Sequence, residues 1–274
     1  MTIGNRVLRL KVPMDRTGPQ RVAETSGAEA IRAALSGALG TGEEIAVLVV
    51  PLDSVPPSLD LLHPLERPAV ERAVDKRIRE FVAGRLLARE AALLLGLSDL
   101  VLPAGRDRAP VWPPGIVGSI THSRRWCAVA MARTRDVAGL GLDIEEHPGV
   151  PERLAPEIMT KPEIDSCNRL AAAERDLMRS FVFSAKEAAF KAQYGLTKTM
   201  FYFQDVDTRI DMDRLAFSPA YNLPGVADRL QGFARSCGLF HLHGLVGSAV
   251  KLTDPSRRSG TAAPEISSVP LRAE

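Results

Sequence analysis

Six consecutive apolar residues, Ile45–Val50, predict a buried strand. Upstream, apolar positions recur at helical spacing only around Ala28–Leu39, in a stretch that mixes glycine, proline and charge, so residues 1–40 read as a variable, peripheral lead-in. Downstream, Pro51, Pro56, Pro57, Pro64 and Pro68 mark a loop. The longest helical pattern then covers 69–97 and is ended by Gly96. A second loop dense in Pro and Gly, 100–118, leads into Gly118–Ser123. Strand patterns follow at Cys127–Ala132 and, past a turn at Thr134–Asp136, at Val137–Ile144, before Pro148 and Pro151 break the chain. A second helical region covers 161–193, with Thr160 and Glu163 at capping-box spacing and Pro162 in the first turn. Two or three strands are predicted between 201 and 250, and the segment 253–274, rich in Pro, Ser and Arg, reads as a disordered tail. Each half offers a strand, a long helix and further strands. The fold class is therefore α+β with two similar subdomains, 41–125 and 126–252, although no sequence repeat relates them.

Composition narrows the function classes. The chain has 274 residues, and 35 Lys plus Arg against 33 Asp plus Glu leave a net charge of +2, which disfavours a nucleic-acid partner. Aromatics at 5 % give no stacking platform for single strands, and 45 % hydrophobic with 25 % charged residues is ordinary for a soluble globular protein. Cys127, Cys167 and Cys237 lie far apart, which suits a reducing compartment better than a disulfide scaffold. No secretory h-region or bilayer-length apolar run is present, so a cytoplasmic protein without a membrane partner is expected.

Three clusters carry candidate chemistry. Asp143 and Glu145 stand two apart on a predicted strand, so their carboxylates share one face and repel unless a cation lies between them. Oxygen-only ligands favour a hard ion such as Mg²⁺; the plain alternative is a strand end with solvated acids. The preceding Gly139-x-Gly141 is no dinucleotide fingerprint, because Ile144 takes the third glycine's place. In the second cluster, Phe183–Lys191 (FSAKEAAFK), Glu187 could be a third metal-facing carboxylate, with Lys186 and Lys191 near a substrate phosphate. Equally, Ser184 and Glu187 could cap a helix and Glu187–Lys191 form an ordinary i, i+4 pair. The third, Gly118–Ser123 (GSITHS), suits phosphate contact through its hydroxyls and His122, against a structural role for a lone histidine. On the first long helix, Val74, Ile78, Phe81 and Val82 form an apolar stripe into which Arg85 falls, and Arg85 needs an anionic partner, either an internal acid or a ligand phosphate. His241-x-His243 lacks a third ligand, and Cys127 reads as packing.

In this order, the clusters resemble the 4′-phosphopantetheinyl transferases, particularly the surfactin-synthetase-activating and enterobactin-type group. Gly141–Glu145 meets the family pattern G-(I/L/V)-D-x-E, and Phe183–Lys191 meets (W/F)-S-x-K-E-(A/S)-x-x-K in full. Pro110–His122 is similar to the loop preceding the family's phosphate-contacting histidine, and Lys76–Arg85 to the helix of the enterobactin-type branch. The resemblance spans about 70–195 and continues weakly to about 252; residues 1–40 and the tail find no counterpart. It implies two subdomains about a pseudo-twofold axis, a cleft between them holding coenzyme A, and a chain active as a monomer. It further implies transfer of the phosphopantetheine arm from coenzyme A to a serine of an apo acyl- or peptidyl-carrier protein. Asp143, Glu145 and Glu187 would hold Mg²⁺ (or Mn²⁺), Glu187 would also be the candidate base, and Thr121 and His122 would touch a phosphate. Lys191 and Lys186 would stabilise charge during transfer, and Arg77, Arg85 and Arg106 (or Arg108) would hold the coenzyme A phosphates. A metal-dependent nuclease and a non-catalytic coenzyme A- or carrier-binding protein are the rival readings.

Overall fold

The computed structural model describes residues 19–40 and 44–256, with side chains from Ser26 onward; the expected tail beyond 256 lies outside the described residues. The apolar run forms β1 (Ile45–Pro51), which pairs antiparallel with β3 (Trp126–Arg133), whose other edge pairs with β2 (Ile116–His122). This three-stranded sheet has the order β1-β3-β2. Helix α2 (Asp75–Leu94) covers one of its faces, with Val82, Ala83, Val129 and Met131 in the shared core. A five-stranded antiparallel sheet follows, ordered β4 (Gly139–Glu146), β8 (Leu245–Thr253), β7 (Ala234–Leu242), β6 (Ala216–Tyr221), β5 (Val206–Asp211). Helix α5 (Ala172–Thr197) lies on it, reached through the short helices α3 (Ala155–Ile158) and α4 (Lys161–Asn168); α6 (Pro224–Arg229) precedes β7. The molecule is thus α+β in two halves, each a long helix on an antiparallel sheet.

Four sequence expectations change. The loop expected over 100–118 ends before Ile116, and the segment Gly118–Ser123 that follows it lies mostly in the edge strand β2. Strand β3, expected in the second half, is the middle strand of the first sheet, so the crossing between halves is the turn around 134–138. The first long helix starts at Asp75, and Val74 sits at its N-cap, 73 % exposed, outside the buried stripe. The lead-in is no periphery either. Helix α1 (Pro19–Ala38) buries Ile31 and Leu35, with Leu39 just beyond it, against β1, β7 and β8. Its core is shared with Ala128, Ala130, Leu140, Leu142 and Ile144, on the sheet faces turned away from α2 and α5. A sheet with two apolar faces must be covered twice, and α1 supplies the second cover where the two sheets meet.

The joint between the halves is made by side chains. Edge strands β2 and β4 lie side by side without a backbone ladder. Ser119 Oγ accepts the Leu142 N–H at 2.9 Å, and Thr121 Oγ1 accepts the Ile144 N–H at 3.2 Å. Both hydroxyls are buried and spaced two apart, as the pleat requires, so they satisfy alternate amides of an edge that would otherwise be orphaned. On the other side, α5 presses onto β4. A Cβ on Gly141 would stand 1.9 Å from the Ala188 carbonyl oxygen, and one on Gly139 would stand 2.4 Å from that of Ala192. The Gly-x-Gly pair therefore serves close helix–strand approach.

Candidate active site

Alternation along β4 sends Leu140, Leu142 and Ile144 to the α1 side and Gly139, Gly141, Asp143 and Glu145 to the α5 side. The glycines bring α5 close enough for its Glu187 and Lys191 to meet the strand's acids. Lys191 Nζ donates to Asp143 Oδ1 at 2.8 Å and to the Leu142 carbonyl at 3.0 Å, and lies 4.0 Å from Glu187. Burial lowers the Lys191 pKa, but Asp143 and Glu187 outweigh that effect and hold it above the ordinary lysine value. Asp143 is 3 % exposed and accepts a further contact from Thr121 Oγ1 at 3.4 Å, yet its Oδ2 has no partner. Glu145 is pushed up to about 8 by burial and then by the Asp143 charge, and Glu187 is raised by burial. One ammonium thus faces three carboxylates that burial and mutual repulsion leave short of positive charge.

Among the described residues, no three His, Cys, Asp or Glu side chains already converge as an ion cage; the ammonium of Lys191 stands among the carboxylates instead. The donor set nevertheless suits a hard divalent cation: it is all oxygen, and it contains the orphaned, buried Asp143 Oδ2.

A second cluster adjoins the first. At the end of β2, His122 Nε2 lies 3.3 Å from Arg77 Nη1 and 3.6 Å from Glu80, while Arg77 and Lys76 flank Glu80 at 3.5 and 3.9 Å. Burial lowers the His122 pKa; Glu80 opposes the shift and Arg77 adds to it. The charges of Lys191 and Asp143 also reach the His122 ring, so α2, β2, β4 and α5 all present ionisable groups to one region. Arg77 is exposed, its side chain held among the described residues only by its contacts with His122 and Glu80.

The sequence profile of the 4′-phosphopantetheinyl transferase N-terminal domain matches residues 65–132, and that of the 4′-phosphopantetheinyl transferase superfamily matches 139–221. A 4′-phosphopantetheinyl transferase of Streptomyces mobaraensis, Svp, is 36 % identical over 208 residues, covering 74 % of this chain and 82 % of that protein. This chain belongs to the 4′-phosphopantetheinyl transferase superfamily. The transferase PptT of Mycobacterium tuberculosis is 35 % identical over 59 % of this chain and 70 % of its own length. Enterobactin synthase component D of Salmonella typhimurium is 32 % identical over 48 % of this chain and 55 % of its own. Among solved structures, a holo-(acyl-carrier-protein) synthase from Bacillus anthracis aligns with 43 % of this chain and 96 % of its own at 23 % identity and a TM-score of 0.34.

Within this transferase, Lys186, Arg85 and Thr121 are engaged inside the fold, and Arg106 stands apart from the acid cluster. Lys186 is fully buried, and its ammonium is consumed by Glu163 at 2.7 Å and by the carbonyls of Ile158 and Phe203, both at 2.8 Å. Adjacent positions on one helix face opposite ways: Lys186 points to α3 and α4, whereas Glu187 and Lys191 point to β4. Arg85 is 5 % exposed, its guanidinium 3.6 Å from the Phe81 ring centroid and its Nε donating to the Leu102 carbonyl at 3.1 Å. Burial lowers its pKa to about 10, and the nearby Glu66 opposes that shift. Its buried Nη2 has no hydrogen-bond partner among the described residues, and Glu66, which pairs with Arg89, acts on it through charge rather than contact. Thr121 is spent on Asp143 and the β4 backbone, and Arg106 stands exposed on the loop after α2. His241 and His243 are exposed and separate from the site, and Cys127 is packed, its thiol pushed up to about 12 by burial.

Sequence reasoning missed the buried acids Glu66 and Glu163 as ion-pair partners. Glu66 is fully buried, pairs with Arg89, and accepts the backbone N–H of Leu102 at 2.9 Å and of His63 at 3.0 Å. Glu163 was visible only as a capping residue, yet it also accepts Thr208 N and Oγ1 at 2.5 and 2.7 Å. A single-sequence signal existed for neither, because both pairings join distant segments.

Proposed function

We propose that this enzyme moves the 4′-phosphopantetheine arm of coenzyme A onto a serine hydroxyl of an apo acyl- or peptidyl-carrier protein, with Mg²⁺ (or Mn²⁺) as its ion. The observation that carries the reading is the meeting of Asp143, Glu145, Glu187 and Lys191 beside His122 and Arg77, an acidic cluster adjoining a cationic one. In the balanced reaction, the serine oxygen forms a bond to the pantetheine-side phosphorus of the diphosphate. The phosphoanhydride bond to the nucleotide breaks, adenosine 3′,5′-bisphosphate leaves with the bonding pair, and the serine proton passes to a base. Asp143, Glu145 and Glu187 would hold the ion, which when bound neutralises diphosphate charge and eases the leaving group's departure.

The chain's own groups supply the rest. Lys191, anchored by Asp143, places a positive charge where a non-bridging phosphate oxygen would gather charge. His122 and Arg77 bind and orient the diphosphate from the opposite wall, with Arg106 on the outer loop as a further cation. Glu187, kept more basic than an ordinary glutamate by its burial, is suited to take the serine proton. Because both halves of one chain contribute, a monomer contains every proposed group. The test is intact-protein mass spectrometry of an apo carrier incubated with the enzyme, coenzyme A and Mg²⁺, beside a sample with EDTA. A mass gain of one phosphopantetheine arm that EDTA abolishes supports the reading; no gain on carriers of several pathways, with coenzyme A still bound, overturns it in favour of a binding protein.

A further inference from the structure

The loop after α2 forms a pinned tongue. Ala104 and Pro110 close its base as an isolated bridge, the Gly105 N–H donates to the Ala109 carbonyl at 2.8 Å, and the Arg108 N–H donates to the Gly105 carbonyl at 2.9 Å. Arg108 is left-handed at φ 65°, which turns the tip sharply. The tip residues Arg106, Asp107 and Arg108 are all exposed. Asp107 divides its two oxygens: Oδ1 accepts the Ala109 N–H at 3.0 Å within the tongue, while Oδ2 accepts the Tyr194 hydroxyl at 2.6 Å on α5, in the other half of the molecule. Lys198, which ends α5 in a left-handed conformation, holds its ammonium 5.1 Å from the Tyr194 ring centroid.

Position along α5 gives this contact its meaning. Glu187, Lys191 and Tyr194 are spaced four and three residues apart, hence on one face of the helix. At ~1.5 Å rise per residue, Tyr194 lies about 4.5 Å beyond Lys191 and about 10.5 Å beyond Glu187 along the axis. The tongue is therefore tied to the very helix face that carries the acid cluster, one turn further on. The side chains of Arg106 and Arg108, on either side of the tied residue, have no hydrogen-bond or ion-pair partner among the described residues. A single solvent-exposed hydrogen bond adds little to holding together halves already joined along β2 and β4. What it does fix is the place of two guanidinium groups relative to α5.

We propose that Tyr194 and Asp107 form a latch that positions the tongue's arginines against the nucleotide-end phosphate of the donor, so that Tyr194 is a positioning residue for coenzyme A. The inference rests on the reading of coenzyme A as donor. Tyr194 touches no reacting atom and acts through Asp107. Its loss should weaken donor binding and leave the chemical step untouched.

The test compares the wild-type enzyme with Tyr194→Phe, which removes only the hydroxyl, with Asp107→Ala, and with the double variant. Direct titration with coenzyme A and steady-state transfer to an apo carrier are both measured, using coenzyme A and 3′-dephospho-coenzyme A. Each single variant should bind coenzyme A about five- to tenfold more weakly and raise KM for it equally, with kcat within twofold of wild type and an unchanged melting temperature. The double variant should lose no more than either single one, because both remove the same contact. With 3′-dephospho-coenzyme A, the wild type and variants should converge, since the phosphate that the arginines hold is gone. Unchanged coenzyme A affinity in both single variants overturns the latch while leaving the transferase reading intact. So does a fall in kcat without a change in KM. A variant penalty of equal size with 3′-dephospho-coenzyme A contradicts the assignment of the phosphate. A wild-type enzyme that neither binds coenzyme A nor transfers the arm overturns the underlying reading, and the latch with it.

Discussion

Lys186 lies inside the motif FSAKEAAFK, where its neighbours face the acid cluster, yet the structure makes it a strut. Substituting Lys186→Met keeps most of the volume and removes the charge, so no large cavity opens. Glu163 would keep its bonds from Thr160 N at 2.8 Å and from Thr208 N and Oγ1 at 2.5 and 2.7 Å, but would remain an uncompensated buried carboxylate. The Ile158 and Phe203 carbonyls, each at 2.8 Å from Nζ, would lose a donor. Breaking a buried pair by removing one partner costs about 3–5 kcal/mol, and each orphaned carbonyl about 1–3 kcal/mol if water does not reach it. With hydration of the two carbonyls after relaxation, a loss of about 4 kcal/mol is expected. For a chain of this size that corresponds to a fall in melting temperature of roughly 8–16 °C. The pair Lys186→Met/Glu163→Gln should recover part of the loss, because the stranded charge is removed as well. The assay is thermal unfolding followed by transfer kinetics at a temperature where each variant is folded. The expected result is a large stability loss with KM for coenzyme A within about threefold of wild type. A melting temperature within about 2 °C of wild type, together with a KM raised more than about tenfold, would refute the reasoning and place Lys186 on the substrate.

Leu35→Ala should cost about 2–5 kcal/mol in chemical denaturation, since Leu35 is fully buried under the joint; a loss below about 0.5 kcal/mol would return α1 to the periphery. Gly141→Ala places a methyl 1.9 Å from the Ala188 carbonyl oxygen, so α5 must move off β4. That variant should lose about 1–3 kcal/mol of stability and more than about tenfold in kcat, measured in the same transfer assay. Lys191→Met should lower kcat by about 100-fold while the protein stays folded by circular dichroism, because its charge is proposed to act on the phosphate. Burial pushes the Cys127 and Cys237 thiols up to about 12, so only about one in 10⁴ is thiolate at pH 8. An aromatic disulfide reagent at that pH should therefore label these two only after denaturant is added.

The pattern of the chain revealed what is local. The apolar run at 45–50, the Thr160–Glu163 capping box and the alternation that puts Asp143 and Glu145 on one face were all legible, because each is set by neighbours a few residues apart. The strand β2 was not, since its Gly118, Ser119 and Thr121 are chosen for what approaches from outside: a Cβ on Gly118 would meet the Trp112 ring at 2.5 Å, and the two hydroxyls serve the amides of β4. Long-range partners were equally hidden. Nothing around Lys186 distinguishes it from Lys191; only the packing of α3 and α4 against α5 turns one inward. Arg85 shows the middle case: the need for an anion could be read from its place in the apolar stripe, but the nearby buried acid, Glu66, lay in a proline-rich loop and pairs with Arg89, leaving Arg85 Nη2 unpartnered among the described residues. The helix at 28–39 was visible as a pattern, but its role required knowing that two sheets meet beneath it.

The central claim is that Asp143, Glu145 and Glu187 together hold a divalent ion, and it can be tested without turnover. Mn²⁺ would be titrated into the wild-type enzyme and into Asp143→Asn, with and without coenzyme A, following bound ion by electron paramagnetic resonance. The account predicts one ion per chain in the wild type, bound more tightly with coenzyme A present, and affinity at least about tenfold weaker in Asp143→Asn. Equal binding by the two proteins, or no ion bound by the wild type in the presence of coenzyme A, would contradict it.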